Sequence, residues 1–394
     1  MFPKLRFKEF DGDWLPYVLK DFVSFRKGKG ISKADISEDG INECIRYGEL
    51  YTTYGQVIRK VQSKTYVSKS ECVLSQAGDV LIPASGETQI DIATASCVLK
   101  GDVILSGDLN ILSHKENGEW LAYYLSSAKK LDIAQLAQGN SVVHLYSSQL
   151  KDLKINKPSK AEQTKIVTFL SAVDEKISQL TQKHELLSQY KQGMMQKLFS
   201  QQIRFKADDG SAFGEWDQSE LKEVAQINPK VKKLPENFIY IDLESVEKGL
   251  LLLEKNITLS EAPSRAQRLL SKGDVLFQMV RPYQQNNYYF NLDGQYVAST
   301  GYAQIRTELN SKFIYYALHE KSFLDEVMNR CTGTSYPAIN SSDLSTIEIG
   351  IPCLEEQTKI ANFLSAIDQK IEVVAQQIEQ AKTWKKGLLQ QIFV

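Results

Sequence analysis

A segment of forty-two residues occurs twice in this 394-residue chain, and the duplication restricts the folds that the chain can adopt. The first copy spans 158–199 and begins PSKAEQTKIVTFLSAVDEKI, and the second spans 352–393 and begins PCLEEQTKIANFLSAIDQKI. The copies align without a gap at an offset of 194 residues, with nineteen identical positions. Because neither has an internal proline and the first opens with the capping-box pattern S-x-x-E, each copy predicts one long helix.

The apolar residues of both copies recur at alternating spacings of three and four, which is the heptad pattern of a coiled coil. The predicted seam consists of Ile166, Leu170, Val173, Ile177, Leu180, Leu187, Met194 and Leu198 in the first copy, and of Ile360, Leu364, Ile367, Ile371, Val374, Ile378, Ala381, Leu388 and Ile392 in the second. Three polar residues interrupt it, namely His184, Lys191 and Lys385. The two lysines either reach water near the helix ends or fix the register of the pair.

A glycine stands near the end of each copy, at Gly193 and Gly387. Inside a helix, glycine costs about 1 kcal/mol relative to alanine. Its occurrence in both copies predicts either a close backbone approach at this point or the end of the helix.

The sequence before each copy is also repeated, although less closely. LRFK at 5–8 and GDVL at 78–81 correspond to IRFK at 203–206 and GDVL at 273–276. Short strand-like runs alternate with helical patterns in both stretches. We therefore expect mixed α/β domains at 1–157 and 201–351, followed by helices at 158–200 and 352–394. Because the loops between the matching frameworks differ, the two domains are expected to bind different targets.

The order of these parts predicts how the helices pack. The first helix leaves one domain and enters the next, so two helices that pack within one chain must be antiparallel. Forty residues at 1.5 Å per residue span about 60 Å. The expected fold is therefore α+β: two mixed α/β domains separated by a long antiparallel two-helix coiled coil, with an internal pseudo-two-fold axis. Duplex DNA has a dyad too, so such a protein suits two half-sites separated by unread bases.

Composition narrows the function classes. The net charge is −1, so binding to DNA requires a folded surface that segregates charge. No apolar run approaches the roughly 18 residues of a membrane span, and the start lacks the apolar core of a signal peptide. The five cysteines are never spaced as C-x-x-C, which is typical of free thiols in a reducing cytoplasm. Phosphate-loop, NPPY-like, H-E-x-x-H and nucleophile-elbow motifs are missing and the four histidines are scattered, so we expect neither catalytic nor metal-binding residues.

Two motifs resemble those of the specificity (S) subunits of type I restriction–modification systems. The helix motif P-x-x-x-E-Q-x-x-I-x-x-F-L-x-x-(I/V)-D-x-K-I occurs at 158–177 and 352–371. The approach (Q/T)-G-(N/T)-S-x-x-x-(L/I)-x-S-S-x-L-x-x-(L/I)-x-I occurs at 138–155 and 332–349. The resemblance covers essentially the whole chain, and the duplicated helix motif is its most specific part.

The resemblance implies a target-recognition domain, a helix, a second target-recognition domain and a second helix. Such a subunit binds a bipartite asymmetric site in double-stranded DNA and recruits two methyltransferase (M) subunits. These carry S-adenosylmethionine and methylate adenine N6, and added restriction (R) subunits use ATP and Mg for cleavage. By resemblance, the chain itself holds no cofactor, does no chemistry and works in the cytoplasm of a bacterium or archaeon.

Residue type suggests which loop residues contact DNA, since Arg, Asn and Gln suit base edges and Lys suits phosphates. In the first domain the phosphate candidates are Arg26, Lys27, Lys29 and Lys33, and the base-edge candidates are Arg46, Tyr47, Tyr51, Thr52, Thr53, Tyr54, Ser85, Gly86, Glu87, Thr88 and Gln89. In the second domain they are Lys230, Lys232 and Lys233 for phosphates, and Arg265, Arg268, Gln278, Arg281, Tyr283, Gln284, Gln285 and Asn286 for bases. Equivalent loops, expected to close on the duplex, contain Gly139, Asn140 and Ser141, and Gly333, Thr334, Ser335 and Tyr336.

Two functions of other classes compete with this interpretation. The first is an enzyme, a nuclease or methyltransferase with unusual motifs, which would act without a partner. The second is a coiled-coil scaffold with no role at DNA, which the nearly neutral charge favours. Phe169 and Phe363, at matching positions beside the seam, either pack on its rim or contribute to the docking of the M subunit.

Overall fold

The computed structural model describes residues 3–139 and 142–393. The chain forms two compact units: unit 1 contains 1–181 and 376–394, and unit 2 contains 182–375. Each long helix is thus divided between the units. In unit 1 the first half of the first long helix packs with the second half of the other, and in unit 2 the remaining halves pack together. Within the described ranges, no helix is long and apolar enough to cross a membrane.

Unit 1 is a mixed α/β globule. Its strands are β1 (Leu15–Val18), β2 (Val23–Lys27), β3 (Asn42–Ile45), β4 (Val57–Ile58), β5 (Ser63–Thr65), β6 (Val73–Leu74), β7 (Val80–Pro83), β8 (Ser85–Gly86), β9 (Ser96–Val98), β10 (Ile104–Leu105), β11 (Leu109–His114), β12 (Val143–His144) and β13 (Lys154–Lys157). Its helices are α1 (Glu49–Thr52), α2 (Gln89–Ile92), α3 (Gly118–Ser127), α4 (Lys130–Leu136), α5 (Ser147–Leu150) and the first half of α6 (Lys160–Phe199).

The larger sheet of unit 1 has the order β2-β11-β7-β9-β4, and a smaller one has the order β5-β3-β10-β6. The GDVL motif builds the middle strand of the larger sheet. Gly78 makes the preceding turn at φ +92°, a value that glycine adopts without strain. All four residues of β7 are buried, as expected for a central strand covered on both faces.

Unit 2 has the same kind of architecture. Its strands are β14 (Asp217–Glu220), β15 (Gln226–Ile227), β16 (Asn237–Ile241), β17 (Val246–Glu247), β18 (Leu250–Leu251), β19 (Lys255–Thr258), β20 (Ala266–Leu269), β21 (Val275–Gln278), β22 (Tyr288–Tyr289), β23 (Tyr296–Ser299), β24 (Tyr302–Arg306) and β25 (Glu348–Ile351). Its helices are α7 (Leu221–Val224), α8 (Ser311–Ala317), α9 (Lys321–Asn329), α10 (Ser341–Ser345) and the first half of α11 (Leu354–Ile392). Its two four-stranded sheets have the orders β15-β24-β21-β22 and β19-β16-β23-β20.

The framework repeat predicted from the sequence is confirmed in the strand pairing. In unit 1, β1 pairs antiparallel with β13, so the opening strand closes on the strand that leads into α6. In unit 2, β14 pairs antiparallel with β25 in the same way before α11. The strand from the second GDVL motif, β21, is fully buried and follows Gly273 at φ +88°. The frameworks therefore match, and the sheets β5-β3-β10-β6 and β19-β16-β23-β20 match as well, because both have an antiparallel, a parallel and an antiparallel pair in the same order.

Both long helices and their antiparallel packing are confirmed. In unit 1, Leu388 and Ile392 from the end of α11 pack in one core with Ile166 and Leu170 from the start of α6. In unit 2, Leu198 from the end of α6 packs with residues from the start of α11. Every predicted seam position of the two helices is buried or partly buried. Ser159 caps α6 by accepting the Glu162 N–H at 3.3 Å.

The Glu-Gln pair of each helix motif attaches the helix to its globule. Glu162 is buried and accepts hydrogen bonds from Arg6 (2.8 Å) and from the Trp14 indole (3.1 Å). In unit 2, Glu356 accepts equivalent bonds from Arg204 and Trp216. Each bond joins a charged carboxylate to a donor in a largely buried place, where such bonds are strong. The repeated opening R-F and the repeated E-Q therefore form one structural device.

The seam lysines are paired rather than directed to water. In unit 1, Lys385 Nζ lies 2.6 Å from Asp174 Oδ1, and Tyr123 donates its hydroxyl to the same carboxylate at 2.5 Å. In unit 2, Lys191 Nζ lies 2.6 Å from Asp368 Oδ1, which also accepts the Tyr316 hydroxyl. Each cluster joins residues of both helices and one globule. This geometry favours the register-fixing alternative, because a slipped pair of helices would leave both charges without partners.

The expectation for the two helix glycines was wrong. A Cβ built on Gly193 or on Gly387 meets no atom within 4 Å. The helices also continue beyond both, to Phe199 and Ile392. Neither a close approach within the described chain nor the end of the helix explains these glycines.

Candidate nucleic-acid interface

In unit 2, two of the predicted loops meet at the end of β21. Val280 forms a β-bridge with Ala338, and the Arg281 N–H donates to the Pro337 carbonyl at 2.7 Å. The Arg281 guanidinium lies 4.2 Å from the centre of the exposed Tyr336 ring, within the range of a cation–π interaction. The loop 280–287 and the loop 332–338 therefore present one joint surface.

Unit 1 brings together the corresponding loops at the end of β7. Strand β8 pairs with β12, and Ser85 Oγ lies 3.1 Å from His144 Nδ1. The His144 ring stacks on the exposed Tyr146 ring at a centroid distance of 6.3 Å. The loop residues Asn140 and Ser141 lie outside the described residues, whereas Gly139 is exposed beside this pairing.

The loop after β21 holds a costly backbone conformation. Arg281 and Gln285 both adopt left-handed φ values, 54° and 51°, on either side of a 3₁₀ turn at Pro282–Gln284. For residues other than glycine this conformation costs roughly 1–2 kcal/mol each. Its side chains at Tyr283 and Gln284 are exposed. Such strain at an exposed turn is typical of binding loops.

Gln278 holds this loop in place. It is only 2% exposed. Its Nε2 donates to the Val280 carbonyl and to Gln284 Oε1 at 2.8 and 2.9 Å, and its Oε1 accepts the Asn286 N–H at 3.0 Å. Both ends of the amide are therefore occupied by the loop. In the described conformation, Gln278 shapes the surface and has no open edge for a base.

Several of the predicted arginine contacts are likewise occupied within the globule. Arg26 donates to Asp79, the aspartate of the first GDVL motif, at 2.5 Å. Arg306 makes the matching pair with Asp274 of the second motif at 2.7 Å. Arg46 pairs with Glu49 at 3.4 Å. Arg26 and Arg46 thus have structural partners that a sequence pattern does not reveal.

The lysine candidates have the exposure that a phosphate contact requires. The exposed members of the predicted set are Lys27, Lys29, Lys33, Lys230, Lys232 and Lys233. A flexible ammonium group at the surface binds phosphate without reading sequence. These residues remain predictions of backbone contacts.

The polar candidates of unit 1 divide into exposed and structural groups. Thr52, Thr53 and the stretch 87–89 are exposed, and Tyr47 and Tyr51 are partly exposed. Thr88 also caps α2 by accepting the Asp91 N–H at 3.1 Å. The Tyr54 hydroxyl accepts the Gln62 N–H at 2.9 Å, and burial raises the pKa of Tyr54. Tyr54 therefore supports the loop that carries the threonines.

Arg268 differs from Arg46, whose Nε is likewise buried without a hydrogen-bond partner, because Arg46 has an ion pair with Glu49 and Arg268 has none among the described residues. It lies on β20 at a bulge, and its Nε is buried without a hydrogen-bond partner. Burial lowers the pKa of its guanidinium. Arg265, three residues earlier and at the start of the same segment, is exposed.

The histidines and cysteines do not gather into a reactive centre. Among residues 3–139 and 142–393, His, Cys, Asp and Glu form no group of three that could hold a metal ion. Burial raises the pKa of the Cys44 and Cys97 thiols to about 12, which makes them unreactive. Burial also lowers the pKa of His319 to about 4.

Comparison with known proteins finds one family model twice along the chain. The family profile "Type I restriction modification DNA specificity domain" matches residues 11–189 and 214–383. The chain is 26% identical to the "Type I restriction enzyme MjaVIII specificity subunit" of Methanocaldococcus jannaschii, over 97% of this chain and 94% of the relative. It is 20% identical to the "Type I restriction enzyme EcoDI specificity subunit" of Escherichia coli, over 68% and 67%.

Solved structures share the fold. The S subunit of a type-I restriction–modification system from M. genitalium superposes with a TM-score of 0.64 at 17% identity, over 100% of this chain and 99% of that one. A chain from a structure of the type I R-M system, described for complex assembly and conformational transition, gives a TM-score of 0.57 at 18% identity, over 97% and 98%. At these low sequence identities, the similarity to the solved structures shows a shared fold alone.

Proposed function

The chain belongs to the family of type I restriction modification DNA specificity domains, and from this premise we propose that it is the sequence-specificity subunit of a type I restriction–modification complex. Its proposed task is to bind a bipartite, asymmetric site in double-stranded DNA. Unit 1 reads one half-site and unit 2 reads the other. The proposed location is the cytoplasm, where this DNA is found.

The observation that carries this proposal is the repeated meeting of two loops. In each unit, the loop after the central GDVL strand joins the loop that precedes the last short helix, through β8 and β12 in unit 1 and through the Val280–Ala338 bridge in unit 2. The framework is the same, but the side chains on the loops differ. Two equivalent surfaces with different side chains are what two unlike half-sites require.

The chemistry is proposed to belong to partner subunits. Two M subunits would supply S-adenosylmethionine and methylate adenine N6, and R subunits would supply ATP-dependent cleavage with Mg. In this proposal the present chain recognises the DNA sequence and provides the surface on which the other subunits assemble. Two relatives are named specificity subunits of restriction enzymes, which supports this division of labour.

The rim of the helix pair is a candidate docking surface for the M subunits. Phe169 packs between Phe7 and Trp384, with ring centroids 5.9 and 6.1 Å apart. Phe363 packs on Phe205 in unit 2 in the same way. These contacts account for both phenylalanines as rim packing. Trp384 remains 54% exposed and is the residue here that we expect an M subunit to cover.

An exchange of domains tests the proposed function. Residues 1–157 are replaced by the corresponding domain of another specificity subunit, and the variant is purified with its M partner. The methylated sequence is expected to change in one half-site and to keep the other, because unit 2 is unaltered. A change in both halves would refute the assignment of one half-site to each unit, and methylation or cleavage by the chain without partners would favour the enzyme alternative.

A further inference from the structure

Arg268 has a guanidinium that the described part of the chain leaves without a counter-charge. Seven of the ten arginines form ion pairs with carboxylates. Of the remaining three, Arg281 lies over the Tyr336 ring and Arg265 is exposed to water. Arg268 is partly buried, and within residues 3–139 and 142–393 it has no hydrogen bond, ion pair or ring contact.

Such a group is costly to the isolated protein. A guanidinium stays charged at any physiological pH, so it cannot escape burial by losing its proton. Its Nε–H is fully buried and makes no hydrogen bond. The two Nη atoms are not among the buried atoms without a partner, so an acceptor from outside the chain can reach them. Such an acceptor would supply hydrogen bonds to the partly buried charge that the described residues do not supply.

The position of Arg268 in the sheet supports an external acceptor. Strand β20 lies at the edge of its sheet, and a bulge between Ala266 and Arg268 interrupts its pairing with β23. Bulges at sheet edges reorient a side chain and are frequent beside binding sites. Arg268 thus lies on a strand rather than on a loop. Because the strand backbone is fixed by its pairing, the orientation of the guanidinium group is restricted.

Backbone hydrogen bonds connect this strand to the candidate DNA surface of unit 2. The Arg265 carbonyl accepts the Thr300 N–H at 2.8 Å, at the turn between β23 and β24. The next residue of that turn, Gly301, accepts the Met279 N–H at 3.0 Å, and Met279 precedes the loop 280–287. The residue just before β20 is therefore linked, through the turn at Thr300 and Gly301, to the residue that precedes the loop with Arg281.

We infer that Arg268 reads a guanine in the half-site bound by unit 2, by donating two hydrogen bonds to its O6 and N7 atoms. This inference rests on the proposed function. A partly desolvated guanidinium on a rigid strand has the geometry for a bidentate acceptor, and guanine offers that acceptor in the major groove. Phosphate offers a bidentate acceptor too, but the flexible ammonium groups of the exposed Lys230, Lys232 and Lys233 suit contacts that need no fixed geometry.

The test uses the full chain in complex with its M partner. Wild type is compared with Arg268→Met, which keeps the apolar stem, with Arg268→Lys, which keeps the charge but loses the fork, and with the matched control Lys272→Met, which removes an exposed positive charge of the same unit. Methylated sites are read by single-molecule sequencing, and affinity is measured by competition with duplexes substituted at each position. Unfolding temperatures are recorded for all four proteins.

Both Arg268 variants are expected to lose preference for guanine at one position of one half-site, by roughly tenfold to a hundredfold. The other half-site and the Lys272→Met control should keep the wild-type motif. An equal loss of affinity on all duplexes with a weaker salt dependence would identify a phosphate contact and overturn the inference. An unchanged motif with a lower unfolding temperature would show a structural role and would also overturn it. If wild type itself yields no bipartite motif, the proposed function fails instead.

Discussion

Replacing Asp174 by alanine tests the polar cluster in the apolar seam. The carboxylate accepts the Tyr123 hydroxyl at 2.5 Å and faces Lys385 Nζ at 2.6 Å. The substitution removes both interactions and leaves a buried hydroxyl and an ammonium group that is only 17% exposed. The equivalent substitution in unit 2, Asp368→Ala, removes the same two interactions with Tyr316 and Lys191.

The expected magnitude follows from the burial of these groups. A buried donor that loses its acceptor costs about 1–3 kcal/mol, and breaking a fully buried ion pair costs about 3–5 kcal/mol. Because the Asp174 side chain is 34% exposed, the ion-pair contribution is reduced. We therefore expect Asp174→Ala to lower the free energy of unfolding by about 2–4 kcal/mol.

The measurement is equilibrium unfolding in urea, followed by far-ultraviolet circular dichroism. Glu379→Ala is the matched control on α11, because it breaks the exposed Lys382–Glu379 pair and should change stability by less than about 0.5 kcal/mol. The combined variant Asp174→Leu, Lys385→Met and Tyr123→Phe should recover most of the loss, because it leaves neither a charge nor a buried hydroxyl unpaired. If Asp174→Ala costs no more than Glu379→Ala, the cluster does not fix the helix register.

Three further outcomes are expected. Gly193→Ala and Gly387→Ala should each raise the free energy of unfolding of the isolated chain by about 0.5–1 kcal/mol in urea titrations, because a Cβ meets open space at both; a loss of stability would reveal an unseen close contact. Burial lowers the pKa of His319 to about 4, so as the pH falls the unfolded chain binds a proton at this residue before the folded chain does. The free energy of unfolding should therefore fall by roughly 3 kcal/mol between about pH 6.5 and pH 4. In urea titrations, His319→Gln should make that decline shallower. Gln278→Ala should speed hydrogen exchange in 280–287, because the Asn286 N–H loses its acceptor; unchanged exchange would refute its role in holding the loop.

The architecture was predictable because its signals are local and repeated. The heptads of both copies specify which side of each helix is buried, and the order of the parts requires antiparallel packing. The pairing of β1 with β13 and of β14 with β25 was not visible in the sequence, although the matching openings indicated equivalent domains. Which strands pair depends on contacts between residues far apart in the sequence, and a local sequence pattern does not contain that information.

The candidate interface was less predictable than the fold. Residue type suggested base contacts for Gln278 and phosphate contacts for Arg26, but burial and internal partners occupy both side chains. The aspartates of the GDVL motifs could have signalled a partner, because each repeats at the start of a central strand. Conversely, residue type alone did not distinguish Arg268 from the other candidate arginines. The structure distinguishes it, because its guanidinium is partly buried and has no carboxylate partner among the described residues. A sequence shows which groups are present, whereas their partners depend on the tertiary structure.

The central claim is that this chain, with M partners, directs methylation to a two-part DNA sequence. Single-molecule sequencing of genomic DNA from the host, compared with a strain in which this chain is deleted, tests it most directly. We expect one asymmetric motif, with two specified half-sites, an unspecified spacer and N6-methyladenine on each strand, and we expect it to disappear on deletion. A methylation pattern that is unaffected by the deletion, or a lost motif that is continuous, would contradict it.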